Sequence, residues 1–325
     1  MSHILIFRPG ALGDTLLAFP ALAALGRVFA GARLVAIGNA PALGLARAAG
    51  LVDEAWSFDL PQWADLFREE GIRSLEARSL LAISEHAILW MRDPDSVVAR
   101  NLRASGVPRI VSAPGRPPEG ERVHATDYLL LTLAGWLNDE ALAAAASFTL
   151  ASEPAAQRWV EDEWRQRGLS GAPVLALHPG SGGRHKCWPA ERFVGLAGRF
   201  IAAGWRVLVI EGPADEAPAS QVMQGLPPEQ AQRLSGLSLS QLAAVLARVA
   251  LYIGNDSGVT HLGALVGAPT LALFGPTDPV IWGPRGPRVQ IVGPGPAFAG
   301  AAVGAPMTAL HVEEVWAAAQ RLLAR

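Results

Sequence analysis

Lysine is almost missing from this 325-residue chain: of its 27 basic residues, 26 are arginine and one is Lys186. Cysteine is as scarce. With Cys187 alone, no disulfide can close within the chain, and a reducing, cytoplasmic setting is expected. Long apolar runs are lacking too. A membrane-spanning helix needs about 18 apolar residues or more, and the best candidate, residues 16–30, is broken by Pro20 and Arg27. A secretory leader fits poorly as well, because Arg8 and Asp14 flank a glycine-rich turn where its apolar stretch should run. The N-terminus is therefore expected to belong to the fold. Nor does one sign of charge dominate. A net charge of -2 lacks the basic surplus of a protein that neutralises many phosphates, so no nucleic-acid partner is expected. The 34 glycines and 25 prolines follow no repeat, which excludes collagen, and 50% apolar against 17% charged residues excludes disorder.

What is present is an alternation of apolar runs and amphipathic stretches. Residues His3–Arg8 read as a buried strand, 9–13 as a turn, 14–29 as a helix and 32–37 as a second strand, which together make a βαβ unit. Strand-like runs at 86–91 and 108–112 extend a parallel sheet, and the Pro/Gly-rich residues 113–122 read as an exposed loop. Helices are expected over 126–137 and 154–168. At 173–178 the alternation restarts, with further strands at 205–210, 251–254, 270–274 and 289–292 and an amphipathic helix over 308–325. The length suits two domains of roughly 100 to 200 residues each, divided here as 1–165 and 166–325. Residues 1–165 carry 15 basic against 20 acidic residues, net -5, and residues 166–325 carry 12 against 9, net +3. The second half is the better host for an anion.

Three turns carry candidate chemistry. The first, Arg8-Pro9-Gly10-Ala11-Leu12-Gly13-Asp14, lies at the carboxyl end of a strand, where open parallel sheets place their ligands. Asp14 is the only carboxylate in the first fifty residues. An acid in a first helical turn is explained by capping alone, but Gly10 and Gly13 also allow a ligand to approach the backbone. The spacing is not the Gly-x-Gly-x-x-Gly of a dinucleotide site. The second turn is His178-Pro179-Gly180-Ser181-Gly182-Gly183-Arg184-His185-Lys186-Cys187-Trp188-Pro189. Its glycines free backbone N–H groups for an anion, Ser181 adds a hydroxyl, and Arg184 and Lys186 add charge. A basic surface loop is the bland alternative. Against it stands the position of the single lysine, a compact ammonium in a chain that otherwise uses arginine. Cys187 has no His/Asn arrangement around it and reads as a small filler. His178, His185 and Cys187 match no zinc spacing, so no metal is expected. The third turn, Asn255-Asp256-Ser257-Gly258, opens a helix carrying His261. No Gly-x-Ser-x-Gly elbow surrounds Ser257, which argues against a serine nucleophile.

Taken together, these turns resemble the signatures of glycosyltransferase family 9, the heptosyltransferase-like family. The resemblance rests on the Arg8 to Asp14 turn, on His178-Pro179-Gly180-Ser181 with Lys186-x-Trp188-Pro189, and on Asn255-Asp256-Ser257-Gly258-x-x-His261 with Phe274-Gly275-Pro276-Thr277. It implies an α/β fold of GT-B type, two Rossmann-like domains with a cleft between them, the acceptor mainly on the first and the donor mainly on the second. It further implies that the terminal helix packs back on the first domain. By the same resemblance Asp14 is the catalytic base and Lys186 a catalytic ligand of the donor diphosphate. Ser181, Arg184, Asp256, Ser257, Gly258 and His261 join it at the donor, and Glu216, with Asp215 as the adjacent alternative, holds the ribose. Gly10 and Gly13 form the acceptor-side loop. The implied activity is inverting, metal-independent sugar transfer with no cofactor, from a nucleoside-diphosphate sugar, ADP-linked by preference, to a glycan or glycolipid acceptor such as lipopolysaccharide core. Membrane contact is at most peripheral, at the inner face. The alternatives are a sugar-nucleotide epimerase of the same architecture and a nucleotide-binding module without turnover.

Overall fold

The computed structural model describes residues 2–294 and 304–325, and the chain divides into two compact units, Met1–Phe148 and Thr149–Arg325. In the first unit, β1 (His3–Arg8), β2 (Arg33–Gly38), β3 (Glu54–Ser57), β4 (Ser84–Trp90) and β5 (Arg109–Ala113) form one sheet. All pairs are parallel, in the order β3-β2-β1-β4-β5. Leu5, Phe7, Val35, Ile37, Ala87 and Leu89 supply a core on one face, with Trp63 and Leu102 packed against them. Ile4, Ile6, Ala36 and Ile88 are buried as well. Both faces are covered, which is why these strands read as continuous apolar runs and not as alternation.

The helix expected over 14–29 is two helices, Leu12–Leu16 and Phe19–Val28. Pro20 sits in the first turn of the second, where its missing N–H costs nothing; inside one long helix it would leave the Leu16 carbonyl without a donor. The helix expected over 126–137 is confined to Ala125–Leu131 and followed by turns. In the loop 113–122 most residues are exposed, but Pro117 is buried, and a Cβ on Gly115 would collide with Arg8 Nη1. That loop is thus anchored at its start.

The second unit repeats the plan. β6 (Val174–His178), β7 (Arg206–Ile210), β8 (Ala231–Leu234), β9 (Leu251–Asn255), β10 (Thr270–Leu273) and β11 (Val289–Val292) form a parallel sheet in the order β11-β10-β9-β6-β7-β8. Counted from β6, this is the doubly wound order 3-2-1-4-5-6 of a dinucleotide-binding fold. The helix Pro154–Gln166, split by a boundary at 165, falls wholly in this unit. It buries Ala156, Val160 and Trp164; Arg248 of the helix Leu239–Arg248 lies 5.4 Å from the Trp164 ring. The terminal helix Val312–Leu323 places Val315, Ala318, Ala319 and Leu322 in the core of the second unit, beside Phe193 and Phe200. Among the described residues, no helix is long and apolar enough to cross a membrane.

Candidate active site

In the second unit, strand order reverses between β6 and β9, which pair directly with His178 opposite Gly254. Chain connections leave these two strands in opposite directions across the sheet, so their carboxyl ends open a crevice between loops. The loop after β6 contains the second sequence motif and the turn after β9 the third. Asn255, fully buried, joins them. Its Nδ2 donates to Pro179 O at 2.8 Å and Gly180 O at 3.2 Å, and its Oδ1 accepts from Trp188 N at 2.9 Å. A buried amide with donor and acceptor both paired avoids the desolvation penalty of an orphan. The far end of the loop is held by Trp188, whose indole is buried, donates to Leu310 O at 2.8 Å and meets Phe193 edge to face at 5.0 Å.

Lys186 ends a single turn of tight helix, Arg184–Lys186, and its ammonium lies 2.8 Å from Asp256 Oδ2. The Lys186 side chain is 31% exposed and that of Asp256 10%. An ammonium carries three N–H donors, and this carboxylate oxygen takes one of them. Lys186 therefore stays anchored while offering donors to an anion. Ser181 Oγ donates to the Asp256 carbonyl at 2.6 Å, a second tie between the loops. Arg184 is exposed on the same turn. Gly258 starts the helix Gly258–Leu265, and Ser257 is its N-cap, with Oγ 3.4 Å from Thr260 N. His261, in the first turns of that helix, is buried. An eight-residue helix beginning at a switch point directs N–H groups and the positive end of its dipole toward the crevice.

The glycines of the second motif serve three different ends. A Cβ on Gly180 would collide with the Asp215 carboxylate, and one on Gly183 would come 2.8 Å from His185 Cε1. Gly182 alone has open space around its missing side chain. Asp215 turns inward to His178, with Oδ2 2.9 Å from Nε2. Burial alone would raise this carboxyl, but its hydrogen bond with His178 and a backbone hydrogen bond at Gly212 together hold it below the ordinary range. Glu216, one residue on, is exposed in the first turn of the helix Glu216–Gln224. Of the two candidate ribose acids, Glu216 is the exposed one and Asp215 is committed to an internal bond.

Burial pushes the Cys187 thiol up, Asp215 adds to the effect and Arg184 opposes it. The nucleophile is the thiolate, so Cys187 is expected to react with iodoacetamide at neutral pH more slowly than free cysteine. Alkylation followed by mass spectrometry checks this, and a rate at or above that of free cysteine would contradict it.

In the first unit, Asp14 occupies the third position of the helix Leu12–Leu16, with its side chain 37% exposed. Its Oδ2 accepts from Ala11 N at 3.1 Å, so capping is part of its role. Gly10 has φ +151°, a conformation L side chains rarely adopt, and a Cβ there would sit 3.1 Å from Asp14 Cβ. Gly13 is the second residue of the same helix. Sequence reasoning gave no role to Arg8, the last residue of β1. Its guanidinium is buried; Nη2 donates to Asp14 O at 2.9 Å and lies 3.8 Å from Asp14 Oδ1. Burial lowers the Arg8 pKa and the Asp14 charge opposes that shift. The Asp14 turn thus rests on a buried cation at the carboxyl end of the central strand β1. Asn255 stood in the third motif without a role of its own, and Asp215 entered only as the alternative ribose acid. Asn255 had a signal, a strand-ending Asn before a helix cap, whereas Asp215 had none beyond its place beside Glu216.

A doubly wound unit with a lysine and a helix start at its switch point, in one chain with a second parallel-sheet unit that presents a carboxylate at a strand end, defines a two-unit α/β protein. The family model "Glycosyltransferase family 9 (heptosyltransferase)" matches residues 138–301. The chain belongs to glycosyltransferase family 9. It is 39% identical over 122 residues to lipopolysaccharide heptosyltransferase 1 of Pseudomonas aeruginosa, covering 37% of this chain and 34% of the relative. It is 31% identical over 150 residues to lipooligosaccharide heptosyltransferase 2 of Haemophilus influenzae, covering 44% and 43%. These alignments span about a third to two fifths of the curated relatives' length. Among solved structures, a glycosyl transferase family 9 protein from Veillonella parvula superposes with TM-score 0.78 at 20% identity, covering 99% of this chain and 97% of that one. The E. coli ADP-heptose lps heptosyltransferase II follows at TM-score 0.76 and 20% identity, covering 100% and 99%. The fold is GT-B.

Proposed function

We propose that the chain is an inverting glycosyltransferase that moves a sugar, heptose by preference, from a nucleoside-diphosphate donor to the lipopolysaccharide core or a related cell-surface glycan. The observation that carries this reading is Lys186, the one lysine of the chain, pinned by Asp256 between the two loops of the β6–β9 switch point. The names of the curated relatives supply the sugar and the acceptor class, and an E. coli heptosyltransferase solved with ADP supplies the nucleotide.

In this mechanism the second unit binds the donor. The diphosphate lies against the start of the helix Gly258–Leu265, with Ser181, Ser257 and His261 framing the site and Arg184 and Lys186 neutralising charge, while Glu216 holds the ribose. Asp14 removes the proton from the acceptor hydroxyl as that oxygen attacks the anomeric carbon from the face opposite the leaving group. The C–O bond to the diphosphate breaks, and the charge that builds on its oxygen is met by fixed donors and cations. Those cations take the place of a divalent metal, and the reaction uses no cofactor. The Gly10 and Gly13 turn faces the acceptor. The enzyme works in the cytoplasm with at most peripheral contact to the inner face of the membrane, and one thiol without a disulfide partner suits that compartment.

The reading is checked by incubating the chain with ADP-heptose and a deacylated core glycolipid in the presence of EDTA. Mass spectrometry is expected to show one heptosyl unit added to the acceptor and ADP released, and NMR an inverted anomeric centre. Transfer that stops in EDTA, or a retained configuration, would contradict the mechanism, and failure of transfer to every core acceptor would contradict the function.

A further inference from the structure

Ser257 is not simply a hydroxyl at the mouth of the site. Its Oγ lies 3.3 Å from His178 Nδ1, while on the other side of the ring Nε2 lies 2.9 Å from Asp215 Oδ2. The three residues come from the ends of three elements, β6, β9 and the loop after β7, and His178 and Asp215 are both buried. The surroundings are shaped to admit them. A Cβ on Gly180 would collide with the Asp215 carboxylate, and one on Gly212 would come 2.6 Å from its Oδ2.

The direction of the hydrogen bonds follows from the donor and acceptor inventory. An ionised carboxylate only accepts, so Nε2 carries a ring proton, and in the neutral ring the Nδ1 lone pair then accepts from Ser257 Oγ–H. The Ser257 oxygen keeps its lone pairs for the helix. It accepts from Thr260 N at 3.4 Å, while Thr260 gives its own hydroxyl hydrogen to the Asn255 carbonyl and its Oγ1 meets Tyr252 OH at 2.9 Å. The Ser257 hydrogen is thereby spent inward. The amides of Gly258 and Val259 precede the first intrahelical hydrogen bond and are left for a ligand.

We propose that Asp215 and His178 are positioning residues that fix Ser257 as a pillar under the helix Gly258–Leu265, so that backbone amides rather than the Ser257 hydroxyl grip the diphosphate. This rests on the reading of the second unit as a nucleoside-diphosphate site and assigns its Ser257 side chain an indirect role. A pillar and its support act as one device, so their removals do not add.

The test is a double-mutant cycle on ADP affinity by calorimetry. His178→Gln and Ser257→Ala are each expected to weaken ADP about 2- to 10-fold, the range of one net hydrogen bond. The double variant should be no weaker than the worse single, and Ser257→Thr, which keeps the hydroxyl, should restore affinity. Losses that multiply in the double variant, or a His178→Gln variant that binds as the native chain does, would overturn the proposal. A second readout needs no variant to fold: nitrogen NMR of the native histidines should show His178 protonated at Nε2 and bare at Nδ1, and the reverse tautomer would overturn it. If the native chain binds no ADP, the diphosphate reading falls and the anion role of the relay falls with it. ADP binding with multiplying losses sinks the relay alone.

Discussion

Asp14→Asn is expected to lower kcat about 10²- to 10⁴-fold, the range contributed by a positioned general base, while ADP affinity stays unchanged. The substitution is nearly isosteric. An Asn oxygen can still accept from Ala11 N, as Asp14 Oδ2 does at 3.1 Å, so the turn is expected to keep its cap. Arg8 keeps its bond to the Asp14 carbonyl, because that contact is to the main chain. What disappears is the basic carboxylate that would take the acceptor proton. The effect should therefore appear in kcat, with a modest drop in melting temperature because the buried Arg8 loses the carboxylate 3.8 Å from its Nη2. An Asp14→Asn variant with native turnover would show that the carboxylate only caps its helix, the plainer role its third helical position also fits.

Lys186→Ala is expected to weaken ADP about 10- to 100-fold, from a charge-assisted hydrogen bond worth about 1.5 to 3 kcal/mol. A second consequence separates it from an ordinary surface substitution. Asp256, with a side chain only 10% exposed, would lose its cation at 2.8 Å, and a nearly buried carboxylate without a partner is costly. The unliganded variant should thus melt below the native chain. Lys186→Arg would keep the charge but ask a planar fork to fit where a compact ammonium sits between Asp256 and the anion, so only partial recovery is expected. Isothermal titration with ADP and a melting curve without ligand measure both effects. Unchanged ADP affinity would remove the lysine from the site, whatever happened to stability.

Every strand inside a sheet was legible in the sequence, and so were the edge strands β5 and β11. β1, β6 and β9 lie in sheet interiors and read as apolar runs with turns at their ends. β3 and β8 were missed. Each is four residues long, sits at a sheet edge and carries polar residues, Glu54 and Ser57 in one and Gln232 and Arg233 in the other. A strand paired on one side and half open to solvent has little reason to look apolar. The break at Pro20 was visible as a residue but not weighed as one, since the periodicity on either side of it runs on in phase.

The candidate site divides in the same way. Each loop follows its strand, so local order was enough to place Asp14, Lys186 and Ser257 at carboxyl ends. The partnerships between loops were not local. Lys186 meets Asp256 seventy residues away and His178 meets Asp215 thirty-seven away, separations no periodicity encodes. Asp256, Ser257 and His261 looked like one cluster because they are adjacent in sequence. In the structure the hydrogen-bonded chain is Asp215, His178 and Ser257, while Asp256 serves the lysine. Arg8 was hidden for a related reason: a charged residue ending a strand reads as a boundary, and only the packing of Gly115 against it shows that it is enclosed.

The division of labour between a binding unit and a base is the centre of this account, and calorimetric titration of ADP into the native chain, Lys186→Ala and Asp14→Asn under one set of conditions tests it most directly. The account predicts equal affinity for the native chain and Asp14→Asn, with Lys186→Ala about 10- to 100-fold weaker. A native chain that binds no ADP, or an Asp14→Asn variant that loses affinity as far as Lys186→Ala does, would contradict it.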